Sequence, residues 1–106
     1  MKWEISYYNS DLEEEILRLP ASLLARYLKL TELMEMYGAD LGMPHTDALG
    51  KGLFELRLKG KEGIARVLYC TMIGKKIHML HCFIKKTQKT PKKELKLARK
   101  RLQEVK

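Results

Sequence analysis

The sequence predicts an α+β domain: an N-terminal strand, a helical hairpin, a three-stranded antiparallel meander and a C-terminal helix. Three observations carry this. Residues 50–91 hold three strand-like runs separated by short turns rich in Gly and Lys, the pattern of consecutive hairpins. Residues 10–38 and 90–105 carry apolar residues at helical spacing. Charge is split along the chain: residues 1–50 hold 4 Lys and Arg against 9 Asp and Glu, residues 51–106 hold 17 against 4, for an overall net charge of +8. A length of 106 residues suits one domain spanning 1–106.

In chain order, Lys2 to Tyr8 (KWEISYY) is rich in aromatic and β-branched residues and reads as the first strand. Ser10-Asp11-Leu12-Glu13 has the Ser-x-x-Glu form of a capping box, and Glu13, Glu14 and Glu15 suit the positive end of a helix. Leu12, Ile16 and Leu19 are its expected buried stripe. Pro20 fits the first position of a second helix, in which Leu23, Leu24, Tyr27, Leu28, Thr31, Met34 and Tyr37 recur up to a C-cap at Gly38. Such a stripe is core rather than a binding box, and the two helices can cover one face of a sheet. Residues 39–50 are expected to be irregular, with His45 and Asp47 in a solvated loop.

The meander follows. In Leu53–Lys59, Phe54, Leu56 and Leu58 take one face, Glu55, Arg57 and Lys59 the other. In Ile64–Thr71, Arg66 shares a face with Leu68 and Cys70, a charge in an otherwise apolar strand. Burial of that charge requires a partner, either Glu55 across the hairpin or an anionic ligand. Lys76–Ile84 is almost continuously apolar, as in a central strand covered on both faces. Thr90 and Pro91 read as N-cap and first residue of the last helix, whose apolar positions are Leu95, Ala98, Leu102 and Val105.

Several function classes fall away. No apolar run is long enough to span a membrane, and the N-terminus lacks the apolar core of a signal peptide, so a cytoplasmic chain without a membrane partner is expected. Cys70 and Cys82 are expected as buried thiols. With His78 and His81 they suggest a metal, but on a regular strand residues 78 and 81 face opposite ways, as do 81 and 82; neither a metal site nor a cofactor is expected. What remains is a polyanion partner for the basic half. Arg57, Arg66, Lys85, Lys86 and Lys89 can reach one end of the sheet. Arg grips phosphate as a fork and Lys as a point charge, so such a cleft either binds phosphate passively or stabilises a pentavalent transition state.

Three words in the sequence narrow this: Leu53-Phe54-Glu55-Leu56-Arg57, Ala65-Arg66-Val67-Leu68-Tyr69, and the stretch from His81 to Pro91 (HCFIKKTQKTP) with Glu94 and Ala98 after it. Together with the element order they resemble the RelE/HigB (ParE-like) toxin superfamily, and more closely its phage-derived Gp49-like, HigB-type group. That resemblance implies a toxin of a type II toxin–antitoxin system, a metal-independent endoribonuclease that cuts mRNA in the ribosomal decoding site by attack of the 2′-OH. It also implies an antitoxin of the helix-turn-helix class. Carried over residue by residue, Arg66 meets the scissile phosphate, with Arg57 and Lys86 as further catalytic cations. Lys59, Lys85, Lys89, Lys92 and Lys93 are the expected RNA contacts. Glu55 stands where several relatives are basic, and the 87–90 loop lacks the Tyr or His of others, so Glu55, His81 and a lysine of lowered pKa all stand as candidate general bases. The alternatives are a non-catalytic nucleic-acid-binding module and a protein-directed, gyrase-type toxin on the same fold.

Overall fold

A computed structural model describes residues 2–86 and 89–106. The element order is β1 (Glu4–Tyr7), α1 (Ser10–Leu17), α2 (Ala21–Tyr37), β2 (Thr46–Gly50), β3 (Leu53–Gly60), β4 (Gly63–Met72), β5 (Lys76–Ile84) and α3 (Lys92–Val105). The strands form one sheet in the order β1-β5-β4-β3-β2. The β3-β4-β5 meander is antiparallel, β1 adds parallel to β5, and β2 pairs antiparallel to β3. This is the expected α+β architecture with an added edge strand: Thr46–Gly50, expected to be irregular, pairs with Leu56–Leu53.

Period-2 alternation gives the sheet two apolar faces. One is covered by α1 and α2. Leu12, Ile16, Leu23, Tyr27, Leu30 and Met34 pack there on Leu56, Leu58, Val67, Tyr69, Ile77 and Met79. The other is covered by α3, whose Ala98 and Leu102 meet Leu53, Leu68, Cys70 and Leu80. α3 is a single helix and covers that second face only in part: Glu55, Arg66 and His81 are buried, while Arg57 is half-buried and Lys59 exposed.

Local details correct several expectations. The α1 cap is Asn9 rather than Ser10: its backbone is extended and its Oδ1 accepts from the Leu12 N–H at 2.8 Å. Pro20 and Pro91 are themselves the N-cap residues, so each helix starts one residue later than expected. In α2 the buried stripe takes in Leu30, while Leu28 and Tyr37 face outward, 52% and 72% exposed. Gly38 ends α2 at φ 105°, a left-handed conformation that suits glycine. Cys70 and Cys82 are free, buried thiols, and burial pushes the Cys82 thiol up to about 12. Among the described residues no helix is long and apolar enough to cross a membrane.

β5 contains an irregularity of consequence. Tyr69 pairs with Met79 but Leu68 pairs with His81, so Leu80 is an extra residue. The extra residue reverses the alternation. His78, opposite Cys70, and His81, opposite Leu68, therefore lie on one face, against the expectation that they face opposite ways. They still do not converge: His78 Nδ1 is bonded to Ser6 Oγ at 2.8 Å and His81 Nε2 to Glu94 at 2.8 Å. Among the described residues no three His, Cys, Asp or Glu side chains gather as metal ligands.

Candidate active site

The register lays this end of the α3 face out in rows across the strands. Lys59 pairs with Ile64, and the Lys85 N–H reaches the Ile64 carbonyl at 2.8 Å. The next row is Arg57, Arg66 and Phe83, and the one after it is Asp47, Glu55, Leu68 and His81. Alternation alone puts these side chains on one face, and the Leu80 bulge brings His81 and Phe83 into it.

Arg57 and Arg66 are thus directly opposed, and like charges in that position repel. Glu55 relieves the repulsion from the neighbouring row. Its Oε1 lies 3.3 Å from Arg66 Nε, and the two side chains are 8% and 5% exposed. Thr90 Oγ1 also donates to Glu55 Oε1, at 3.3 Å, and Arg66 Nη1 donates to the Ala65 carbonyl at 3.2 Å. The Arg66 Nε contact is an ion pair without hydrogen-bond geometry. Burial lowers the Arg66 pKa, Glu55 works against the shift and Arg57 adds to it, yet a guanidinium keeps its proton in a protein. Lys85 is held below the usual lysine range by loss of solvation and by Arg66, with Glu55 opposing and Arg57 contributing.

His81 closes the row under α3. Its Nε2 is bonded to Glu94 Oε1, its Nδ1 is buried without a partner, and its ring stacks on Phe83 with centroids 5.8 Å apart. α3 itself is fixed by cations that the charge count alone would have left in solvent. Arg99 donates to the Leu49 and Gly50 carbonyls, Arg101 to the Leu80 carbonyl of the bulge, and Lys106 to the Thr71 carbonyl. The Arg101 guanidinium also lies over the Tyr8 ring at 4.6 Å.

The structure therefore brings together Arg57, Lys59, Arg66, Lys85, Glu55 and His81 on one face. Lys86 is exposed just beyond β5, Lys89 is exposed in the loop before α3, and Lys92 and Lys93 are exposed in the first turn of α3. Thr87 and Gln88 lie outside the described residues. Sequence reasoning missed Glu94 as the partner of His81 and Arg26 as a neighbour of the cations. Their contacts depend on the bulge and on the position of α2, which no local pattern displays.

Chemically, the site offers a fork of buried guanidinium beside a carboxylate, with a second arginine and a lysine of lowered pKa at hand. That combination can bind a phosphodiester, take a proton from a neighbouring hydroxyl and return one to a leaving oxygen. In comparison with known proteins, the family model described as Phage derived protein Gp49-like (DUF891) matches residues 14–103, most of the chain. No curated protein matches it.

Proposed function

The chain belongs to the phage-derived Gp49-like family of RelE/HigB-like toxins, and from that premise we propose that it is the toxin of a type II toxin–antitoxin pair and cuts mRNA on the ribosome. One observation supports the enzymatic reading above all: a 4% exposed Arg66 in contact with Glu55, flanked by Arg57 and Lys85.

RNA carries its own nucleophile, so the reaction needs a base, an acid and charge stabilisation rather than a bound metal. Glu55 accepts the 2′-OH proton, the 2′-oxygen attacks phosphorus, and the bond to the 5′-oxygen breaks as that oxygen gains a proton. The products are a 2′,3′-cyclic phosphate and a free 5′-OH. Arg66 and Arg57 hold the extra negative charge of the pentavalent state. Lys85 is the proton donor, since its lowered pKa makes it release a proton more readily than an ordinary lysine; Lys86 beside it stabilises the same phosphate. Glu55 is preferred to His81 as base because it touches Arg66, whereas His81 Nε2 is turned to Glu94. Lys92 and Lys93 sit at the positive end of α3, where lysine opposes the helix dipole. A role in holding RNA accounts for that placement. The partner in neutralisation is an antitoxin of the helix-turn-helix class.

The test is primer extension on ribosome-bound mRNA with the wild type, Arg66→Lys and Glu55→Gln. Arg66→Lys retains a cation for Glu55 but loses the fork. Cuts are expected from the wild type, only with ribosomes present, and about 100-fold fewer from either variant. A folded wild type that never cuts points to the passive binding module, or, if cells show DNA damage instead of lost translation, to a protein-directed toxin.

A further inference from the structure

On the side of Arg66 away from α3 lies a cleft of about 370 Å³ lined by Arg26, His45, Arg57, Lys59 and Arg66. Pro44 and Ile64 complete its walls. No Asp or Glu lines it among the described residues, although the half of the chain that supplies Arg26 and His45 is acidic.

Topology explains the cleft. β2 begins at Thr46, opposite Leu56, so β3 continues through Arg57, Leu58 and Lys59 with no strand at its edge. The loop before β2 closes the first step, with the Arg57 N–H donating to the His45 carbonyl at 2.8 Å. By the two-residue repeat of a strand, the Lys59 N–H is aimed out at the same edge. Arg26, exposed on α2, reaches this gap from the helical side of the sheet.

Arg66 therefore divides two different surroundings. Toward α3 lie two carboxylates and an imidazole: Glu55, with the Thr90 hydroxyl on it, and His81 bonded to Glu94. Toward the edge lie Arg26, His45, Arg57 and Lys59 between the walls of Pro44 and Ile64, with no carboxylate among them. We propose that the edge cleft is a second phosphate subsite. It takes the backbone phosphodiester adjacent to the one held at Arg66, with Arg26 and His45 as binding residues. This assignment rests on the RNA-cleaving reading of Arg66. It makes the enzyme a reader of strand continuity: affinity comes from two consecutive phosphates, and only the one on the Glu55 side meets the carboxylate base.

The ligands for the test are all-2′-deoxy di- and trinucleotides without terminal phosphates, which carry one and two phosphodiesters and cannot be cleaved. Titrations followed by NMR at low salt are expected to show the wild type favouring the trinucleotide about tenfold, the scale of one charge-assisted contact. In Arg26→Glu that preference shrinks to within twofold, and in Arg26→Ala it falls between the two. The salt slope for the trinucleotide drops by about 0.7 in Arg26→Ala. A wild type without the preference, or variants that keep it in full, overturns the subsite. Cleavage on ribosomes is scored separately: cutting by the wild type without an Arg26-dependent preference sinks the subsite and keeps the interferase, and the preference without cutting does the reverse.

Discussion

Arg66 is an ionised side chain in the middle of a sheet, and Glu55 makes its burial tolerable. An ion pair this secluded adds little net stability over a pair of neutral groups, because both partners lose their water. Removing one partner is different, since it strands the other charge. Arg66→Ala is therefore expected to cost about 3–5 kcal/mol in urea denaturation, while Glu55→Ala with Arg66→Ala together recovers most of that loss. A double variant no more stable than Arg66→Ala would mean that Glu55 does not need Arg66. The consequence for enzymology is direct: lost activity in Arg66→Ala confounds chemistry with folding, which Arg66→Lys avoids. Arg66 was legible in the sequence, since a single charge in Ile64–Thr71 asks for a partner and Glu55 was the nearest anion across the hairpin. Glu94 was not, since its pairing with His81 depends on a bulge that leaves no mark in an apolar run.

Among elements, the β3–β4 hairpin and α2 are joined by a contact between residues forty positions apart. Pro20 caps α2 without a side-chain hydrogen bond. Glu62 serves instead, its Oε1 accepting from the Ser22 N–H at 2.8 Å while Ser22 Oγ accepts from the Glu62 N–H at 3.1 Å. This is a capping box divided between two elements. The approach needs Gly60, where a Cβ would stand 2.6 Å from Ser22 Oγ and 2.9 Å from its Cβ. Gly60→Ala is expected to cost about 1–3 kcal/mol, read as a Tm lowered by about 4–8 °C for each kcal/mol. An unchanged Tm would show that the hairpin does not rest on α2. The strands of the meander were legible to within a residue or two because alternation and turn glycines mark them. The edge strand β2 was not, because Gly42, Pro44 and Gly50 around it read as breakers. The last helix starts after Pro91 for a related reason: the Thr90 hydroxyl, a ready cap, is engaged by Glu55.

At the scale of the molecule, residues 51–106 build β3, β4, β5 and α3, so the excess of 13 positive charges gathers on the meander and on α3, opposite the more acidic α1–α2 pair. The charge count identified this half, but it overstated the free charge, since Arg99, Arg101 and Lys106 are bonded to backbone carbonyls. The remaining field is still strong enough to steer an acidic partner, and steering acts on encounter rather than on residence. If the antitoxin covers the basic face, its association rate should fall at least tenfold between 50 and 500 mM NaCl, with its dissociation rate changing far less. Stopped-flow or surface-based kinetics with the purified pair measures both. Equal association rates at the two salts would place the partner elsewhere, and the molecule offers an alternative in the exposed Leu28, Met36 and Tyr37 of α2. Binding there would leave the Arg66 face open, so neutralisation would have to work by blocking access to the ribosome rather than by filling the site.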